Sequence, residues 1–234
     1  MSEPAKLGRP VASAWRQFLG WDLGRPFCEF WMRVLYNVRI EGREHLDLNA
    51  PRTPTVIVAN HQSLLDPITI GIAIKPDVFR PIARRTLFDH AVVGWLLDCY
   101  RAIPVDQSRG DRAAIEAGME AVRSGSPLIV YPEGTRTPDG RVQEFQRGFL
   151  LIARRTHARI VPMAIEGAYD VWPTGQPWPR LWGHITLRIG QPISPEEIAA
   201  HPPAAFITSL RDRIESMRLD LRAQLRSAEQ NGER

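Results

Sequence analysis

His61 and Asp66, in the stretch Asn60-His61-Gln62-Ser63-Leu64-Leu65-Asp66, directly follow the apolar run Thr55-Val56-Ile57-Val58-Ala59. A histidine and a carboxylate placed where a buried strand ends are the parts of a general base and its orienter, because open α/β sheets bind ligands just beyond their strand ends. Five residues along one helix would turn the two side chains about 140° apart. They can therefore meet only if His61 lies in the loop and Asp66 stands at the start of the next helix. Asp66-Pro67 suits that placement, reading as an N-cap followed by proline at the first helical position. Asp66 would then accept from the His61 Nδ1–H and leave Nε2 as the base. No protein nucleophile is needed if the substrate brings its own hydroxyl. Ser63 lacks the Gly-x-Ser-x-Gly setting of a nucleophile elbow, so a capping or loop hydrogen bond is its reading.

A second polar loop follows the apolar run Pro127-Leu128-Ile129-Val130: Tyr131-Pro132-Glu133-Gly134-Thr135-Arg136-Thr137. Arg136 offers a planar fork suited to phosphate, and Gly134 lets backbone approach a ligand closely. Glu133 could hold a hydroxyl or a cation. By itself this loop would read as a tight turn with a surface Glu–Arg pair. Two such loops after two buried strands argue that both open at one edge of one sheet. Arg84 and Arg85, at the end of a third strand, read equally as an anion contact or as a solvated pair. Arg101, Arg147, Arg154 and Arg155 are further cations.

The elements that must position these residues follow from the hydrophobic pattern. Thr55–Ala59 is a continuous apolar strand of the kind buried on both faces. Further strands are expected at 38–41, 78–83, 102–105, 127–131, 160–165 and 184–189. Helices are expected at 66–74, 87–100, 111–123, 148–156 and from about 204 to 229. Ser194-Pro195-Glu196-Glu197 is a helix start, with a cap, an N1 proline and acids in the first turn. Alternating strands and helices argue an α/β fold, a single domain with a largely parallel mixed sheet flanked by helices. The last helix carries Phe206, Leu210, Ile214, Met217, Leu221 and Leu225 in one stripe and is expected to lie against the domain. Trp15 to Tyr36 predicts an N-terminal amphipathic helical hairpin broken at Gly24-Arg25-Pro26. Its aromatic face would pack on the core or meet a lipid surface, since Trp and Phe beside Arg suit a membrane interface.

The chain has 234 residues and a formal charge of +4 from 30 Lys+Arg against 26 Asp+Glu. That excess allows a nucleic-acid, phosphate or anionic-membrane partner without choosing among them. Two cysteines, Cys28 and Cys99, exclude a disulfide framework and a Cys-based zinc site. No cleavable signal and no uncharged apolar stretch near the ~20 residues of a membrane span are found, so a soluble or peripheral protein is expected.

The same residues resemble a known family. The block Asn60–Asp66 resembles the NHxSxxD block of the PlsC-type 1-acylglycerol-3-phosphate acyltransferases and their glycerolipid-acyltransferase relatives. Tyr131–Thr137 is similar to their FPEGTRS block. Ala83-Arg84-Arg85-Thr86-Leu87-Phe88, Gly94-Trp95-Leu96-Leu97 and Ala102-Ile103-Pro104-Val105-Asp106 resemble the block between them. Ile160-Val161-Pro162-Met163-Ala164-Ile165 resembles the final strand block, so four blocks stand in order over residues 55–170. The resemblance implies acyl transfer from acyl-CoA or acyl-ACP to the free hydroxyl of 1-acylglycerol-3-phosphate, giving phosphatidic acid. His61 would be the general base and Asp66 its orienter. Glu133, Gly134, Thr135 and Arg136 would hold the acceptor head group, with Arg84 as a second phosphate contact and Asn60, Ser63 and Arg147 in support. It implies no metal and no cofactor beyond the acyl thioester, a membrane-lipid partner rather than nucleic acid, and a peripheral place at the cytoplasmic face of the membrane. Residues 1–36 would form the tail and membrane-facing helices, and 37–234 the acyltransferase domain with its C-terminal helix. Phe145-Gln146-Arg147-Gly148 departs from the family's Phe-Lys-x-Gly, Arg101 stands where glycine is common, and Gln107 where arginine often follows. With these changes another lysolipid or amino-lipid acceptor stays open beside 1-acylglycerol-3-phosphate. A silent lipid-binding relative and a hydrolase using water as acceptor are the remaining alternatives.

Overall fold

A computed structural model describes residues 24–46, 53–74, 80–99, 102–105 and 111–230. The chain runs α1 (Arg25–Tyr36), β1 (Arg39–Glu41), β2 (Thr55–Ala59), α2 (Asp66–Ala73), β3 (Arg80–Arg84), α3 (Ala91–Cys99), β4 (Ile103–Val105), α4 (Asp111–Arg123) and β5 (Leu128–Val130). It continues through α5 (Gly148–Thr156), β6 (Arg159–Glu166), α6 (Ala168–Val171), β7 (Thr186–Ile189), α7 (Pro195–Ala200) and α8 (Pro203–Gln230).

The strands form one seven-stranded sheet in the order β1-β7-β6-β2-β5-β3-β4. Every neighbouring pair is parallel except β6 with β7. The expected α/β fold with a largely parallel mixed sheet is therefore the observed one. Successive side chains on a strand point to opposite faces, and β2 uses both. Ile57 and Ala59 join a core with α1 and α2, whereas Val56 and Val58 join a second core with α4, α5 and α8. All five β2 residues are buried, which is why the strand reads as an unbroken apolar run.

The topology gathers the polar loops at one edge. Strands β2, β5 and β6 run the same way, so the loops after Ala59, Val130 and Glu166 leave the sheet together. Strand β7 is antiparallel to β6 and begins opposite Glu166, and β1 begins opposite Thr186. The start of β1, and with it the C-terminal end of α1, therefore lies at that same edge.

Several boundaries differ from the sequence reading for local reasons. The helix expected over 87–100 opens as a 3-10 turn, Arg85–Asp89, before α3. Ser194 caps α7 as expected, its hydroxyl accepting from the Glu197 N–H. Asp66, expected as an N-cap, is instead the first residue of α2, and Leu65 holds the cap position. Of the N-terminal hairpin, Trp15, Phe18 and Trp21 lie outside the described residues. In α1 the aromatic stripe divides. Met32 and Tyr36 are buried in the core, whereas Phe27, Phe30, Trp31 and Val34 are exposed. The core reading thus fails for half of this helix.

Candidate active site

The turn after β2 places His61 by three hydrogen bonds to one carboxylate oxygen. Asp66 Oδ2 accepts from His61 Nδ1 at 2.8 Å, from the Gln62 N–H at 2.6 Å and from the Ser63 N–H at 2.8 Å. Asp66 is fully buried and its side chain folds back over the loop instead of capping the amides of α2. With Nδ1 donating to Asp66, the tautomer is set and Nε2 is left as an acceptor. The His61 side chain is 18% exposed, so the ring is shielded but reachable. The Tyr131 ring stacks on the imidazole, with centroids 4.2 Å apart and planes 18° apart. Burial, and then the charge of Asp66, pushes the Tyr131 phenol well above its ordinary range.

The second loop is bonded directly to the first. The His61 N–H donates to Glu133 Oε1 at 2.9 Å, and the Thr137 N–H donates to the His61 carbonyl at 2.8 Å. The other Glu133 oxygen accepts from the Gln143 N–H at 3.2 Å. Both carboxylate oxygens thus serve loop backbone. Burial raises the Glu133 carboxyl to about 7, against the pull of the His61 and Gln143 amides, with the charges of Asp66 and Glu215 adding to the rise. A carboxyl raised in the folded state destabilises that state as pH climbs from its unfolded value, near 4.5, to its folded value near 7. The wild-type melting temperature should therefore fall between pH 5 and 7.5 relative to Glu133→Gln, a difference on the order of 2 kcal/mol. Parallel melting curves of the two proteins across that range would remove Glu133 as the source.

Gly134 has φ +73°, and a Cβ there would come within 2.5 Å of Gln146 Nε2. Arg136 is half-buried, and burial lowers its guanidinium from the ordinary value while the Asp66 charge opposes that. Thr135 is exposed. Asn60 ties the end of β2 to β6, donating to the Ile165 carbonyl at 2.9 Å and accepting from its N–H at 2.7 Å. The Ser63 hydroxyl donates to the Trp172 carbonyl at 3.0 Å and accepts from the Leu65 N–H at 3.3 Å, which is a loop role. Arg84 ends β3, and its side chain lies outside the described ones. Arg147 is exposed at the N-cap of α5, where its carbonyl starts the helix. The structure therefore joins His61, Asp66, Glu133 and Thr137 and gives Arg147 no bond to them.

Sequence reasoning missed Gln62, Tyr131 and a buried ion network behind the loops. Gln62 Nε2 donates to the Gly140 carbonyl at 2.9 Å and its Oε1 accepts from the Tyr169 N–H at 3.2 Å. Gln62 also reaches Glu166 Oε2 at 3.5 Å. Glu166 is fully buried and pairs with Arg218 of α8 at 2.6 Å and with Arg222. Arg218 in turn holds Glu215, whose carboxylate accepts from the Val142 N–H. The hydrogen bond to Glu215, then that to Glu166, raises the Arg218 guanidinium further. Tyr131 stood in view as the first residue after β5, at the edge where His61 lies. The ion network gave no local signal.

At one edge of the largely parallel sheet a carboxylate-bonded histidine thus stands bonded to an arginine-bearing loop, a class of site built for general-base chemistry. Comparison with known proteins fits that class. A family model described as Acyltransferase matches residues 37–166, and the chain belongs to that family. It is 31% identical over 160 residues to the 1-acyl-sn-glycerol-3-phosphate acyltransferase LPAT1, chloroplastic, of Arabidopsis thaliana, covering 68% of this chain and 44% of that one. It is 26% identical over 196 residues to the 1-acyl-sn-glycerol-3-phosphate acyltransferase of Bacillus subtilis, covering 82% and 95%. The crystal structure of the 1-acyl-sn-glycerophosphate (LPA) acyltransferase PlsC from Thermotoga maritima superposes with a TM-score of 0.70 at 27% identity, covering 85% of this chain and 77% of that one. Against the plant relatives LPAT1 and BAT2 the chain spans less than half of their length.

Proposed function

We propose that this chain transfers an acyl group from acyl-CoA or acyl-ACP to the free hydroxyl of 1-acylglycerol-3-phosphate, giving phosphatidic acid. The observation that carries the reading is the 2.8 Å bond from His61 Nδ1 to buried Asp66, which leaves Nε2 as a base beside the loop bearing Arg136. Nε2 takes the acceptor's hydroxyl proton, the oxygen bonds to the thioester carbonyl carbon, and the C–S bond breaks. The departing thiolate takes the proton back from His61. General-base assistance contributes about 10²–10⁴-fold, so holding acceptor and thioester in register supplies the rest.

Arg136 and Arg84 are the cations assigned to the acceptor phosphate, with Gly134 and Thr135 lining the approach. Glu133, with both oxygens on backbone amides, acts as a positioning residue and not as a head-group ligand. No resident cofactor or metal enters this scheme. Among the described residues no helix is long and apolar enough to cross a membrane. The exposed face of α1 supports a peripheral seat on a membrane. The reading takes residues 1–36 as the contact, 37–234 as the catalytic domain and the cytoplasmic face as the side.

The test is product analysis by mass spectrometry with one acyl-CoA and a panel of lysolipids and amino-lipids. Phosphatidic acid should dominate with lysophosphatidate. Product formed only from another acceptor, or free fatty acid formed equally without lysolipid, would overturn the assignment. Arg136→Ala should raise the KM for lysophosphatidate by about tenfold or more, as loss of a charge-assisted phosphate contact predicts. Its KM for the thioester should stay close to wild type, and an equal rise in both would remove Arg136 from the head-group role.

A further inference from the structure

The segment between α6 and β7 carries Trp178, Leu181 and Trp182 at 79%, 72% and 68% exposure. It is not a slack loop. Pro173, Pro177 and Pro179 fix their own φ angles. Trp172 Nε1 donates to the Gln176 carbonyl at 2.9 Å, and the Arg180 N–H to the Val171 carbonyl at 2.9 Å. The backbone thus closes on itself and holds the two indoles outward.

Both ends of the segment are anchored at the sheet edge that carries His61. At one end, Trp172 accepts from Ser63 Oγ at 3.0 Å, and Thr174 Oγ1 donates to the Thr137 carbonyl at 3.4 Å. At the other, the Gly183 N–H donates to the Leu35 carbonyl at 3.2 Å and the Ile185 N–H to the Tyr36 carbonyl at 3.0 Å. Exposed Val34 and exposed Trp182 are each one residue from the Gly183–Leu35 bond. The aromatic loop therefore continues the exposed face of α1 toward the His61 loop. Residues 172–185 hold Arg180 and His184 and no acidic residue. Indoles beside a cation, without carboxylates, suit the boundary between head groups and acyl chains of an anionic bilayer.

We propose that residues 173–183 form a second membrane-seating element, which inserts Trp178, Leu181 and Trp182 into an anionic bilayer and brings the His61 edge against it. The choice of a bilayer as occupant rests on the reading of the acceptor as a lipid. The test uses the full chain with Trp178→Ser and Trp182→Ser combined, in co-flotation with phosphatidylcholine–phosphatidylglycerol vesicles. Binding should weaken by about tenfold or more, given the apolar area withdrawn. Turnover of a short-chain lysophosphatidate dissolved as monomer should stay within about twofold of wild type, because neither indole touches the site, while turnover of vesicle-borne acceptor falls with binding. Unchanged flotation overturns the proposal. So does wild-type self-association without lipid that the double variant loses, since the loop would then cover a second copy. If the serine variant does not fold, Leu181→Glu decides by the same flotation measurement. Flotation reads no turnover, so a wild type that floats through this loop but acylates no lysophosphatidate would overturn the proposed acceptor and leave the loop standing.

Discussion

His61→Ala should lose acyl transfer by about 10²–10⁴-fold while its melting temperature stays near that of wild type. The imidazole side chain is partly exposed, and its removal leaves the two amides on Asp66 Oδ2 in place. Asp66→Asn should fail differently. The buried carboxylate accepts three hydrogen bonds at one oxygen, two of them from backbone. A neutral amide accepts them more weakly and no longer stabilises an imidazolium, so activity and stability should fall together. The stability loss should be about 1–3 kcal/mol, the usual penalty for leaving a buried group poorly satisfied. Steady-state kinetics beside thermal melts separate the two variants. Residual turnover of His61→Ala near wild type would remove it as the base, and an Asp66→Asn protein as stable as wild type would remove the structural half of the argument.

Arg218→Met should cost about 3 kcal/mol, the low end for breaking a buried ion pair, because buried Glu166 loses one of its two guanidinium partners and keeps Arg222. Glu166 is fully buried, and Arg218 is shared between it and Glu215. In a chain of this size each kcal/mol lowers the melting temperature by about 2–4 °C. Glu166→Gln combined with Arg218→Met should cost less than the sum of the two single changes, because the second change removes a group whose partner across this bond is already gone. Additive losses would mean that the pair is not coupled. The network also reaches the loops, through Gln62 to the turn after β2 and through Val142 to the segment that closes on Glu133. A fall in kcat beyond that explained by unfolding is therefore expected as well.

What the sequence revealed, and what it hid, follows from how far each interaction reaches along the chain. β2 could be read because burial on both faces calls for consecutive apolar residues, here Val56 to Ala59. The His61–Asp66 contact could be read because it spans five residues and helix geometry excludes the alternative. Asp66 as a cap was misread, since an aspartate before proline carries the same local signal whether it turns forward onto the helix or back onto the loop. Glu166 and Arg218 lie 52 residues apart, and nothing near either marks it as buried. Glu133 looked like a ligand for substrate because a glutamate beside glycine and arginine usually faces solvent. Only the fold brings the His61 and Gln143 amides to it. Trp178 and Trp182 sit among prolines with no periodicity, so neither a core nor a surface pattern could be assigned to them.

The backbone of His61 donates to Glu133 and accepts from Thr137, so the histidine sits like one rung of a ladder between two loops 72 residues apart. A rung cannot loosen on one side only. Amide hydrogen exchange at His61 and Thr137 would then share one opening event, and a ligand grasped by the Arg136 loop would slow exchange at the histidine without touching it. The thermodynamic unit of this site is neither motif but the seam between them.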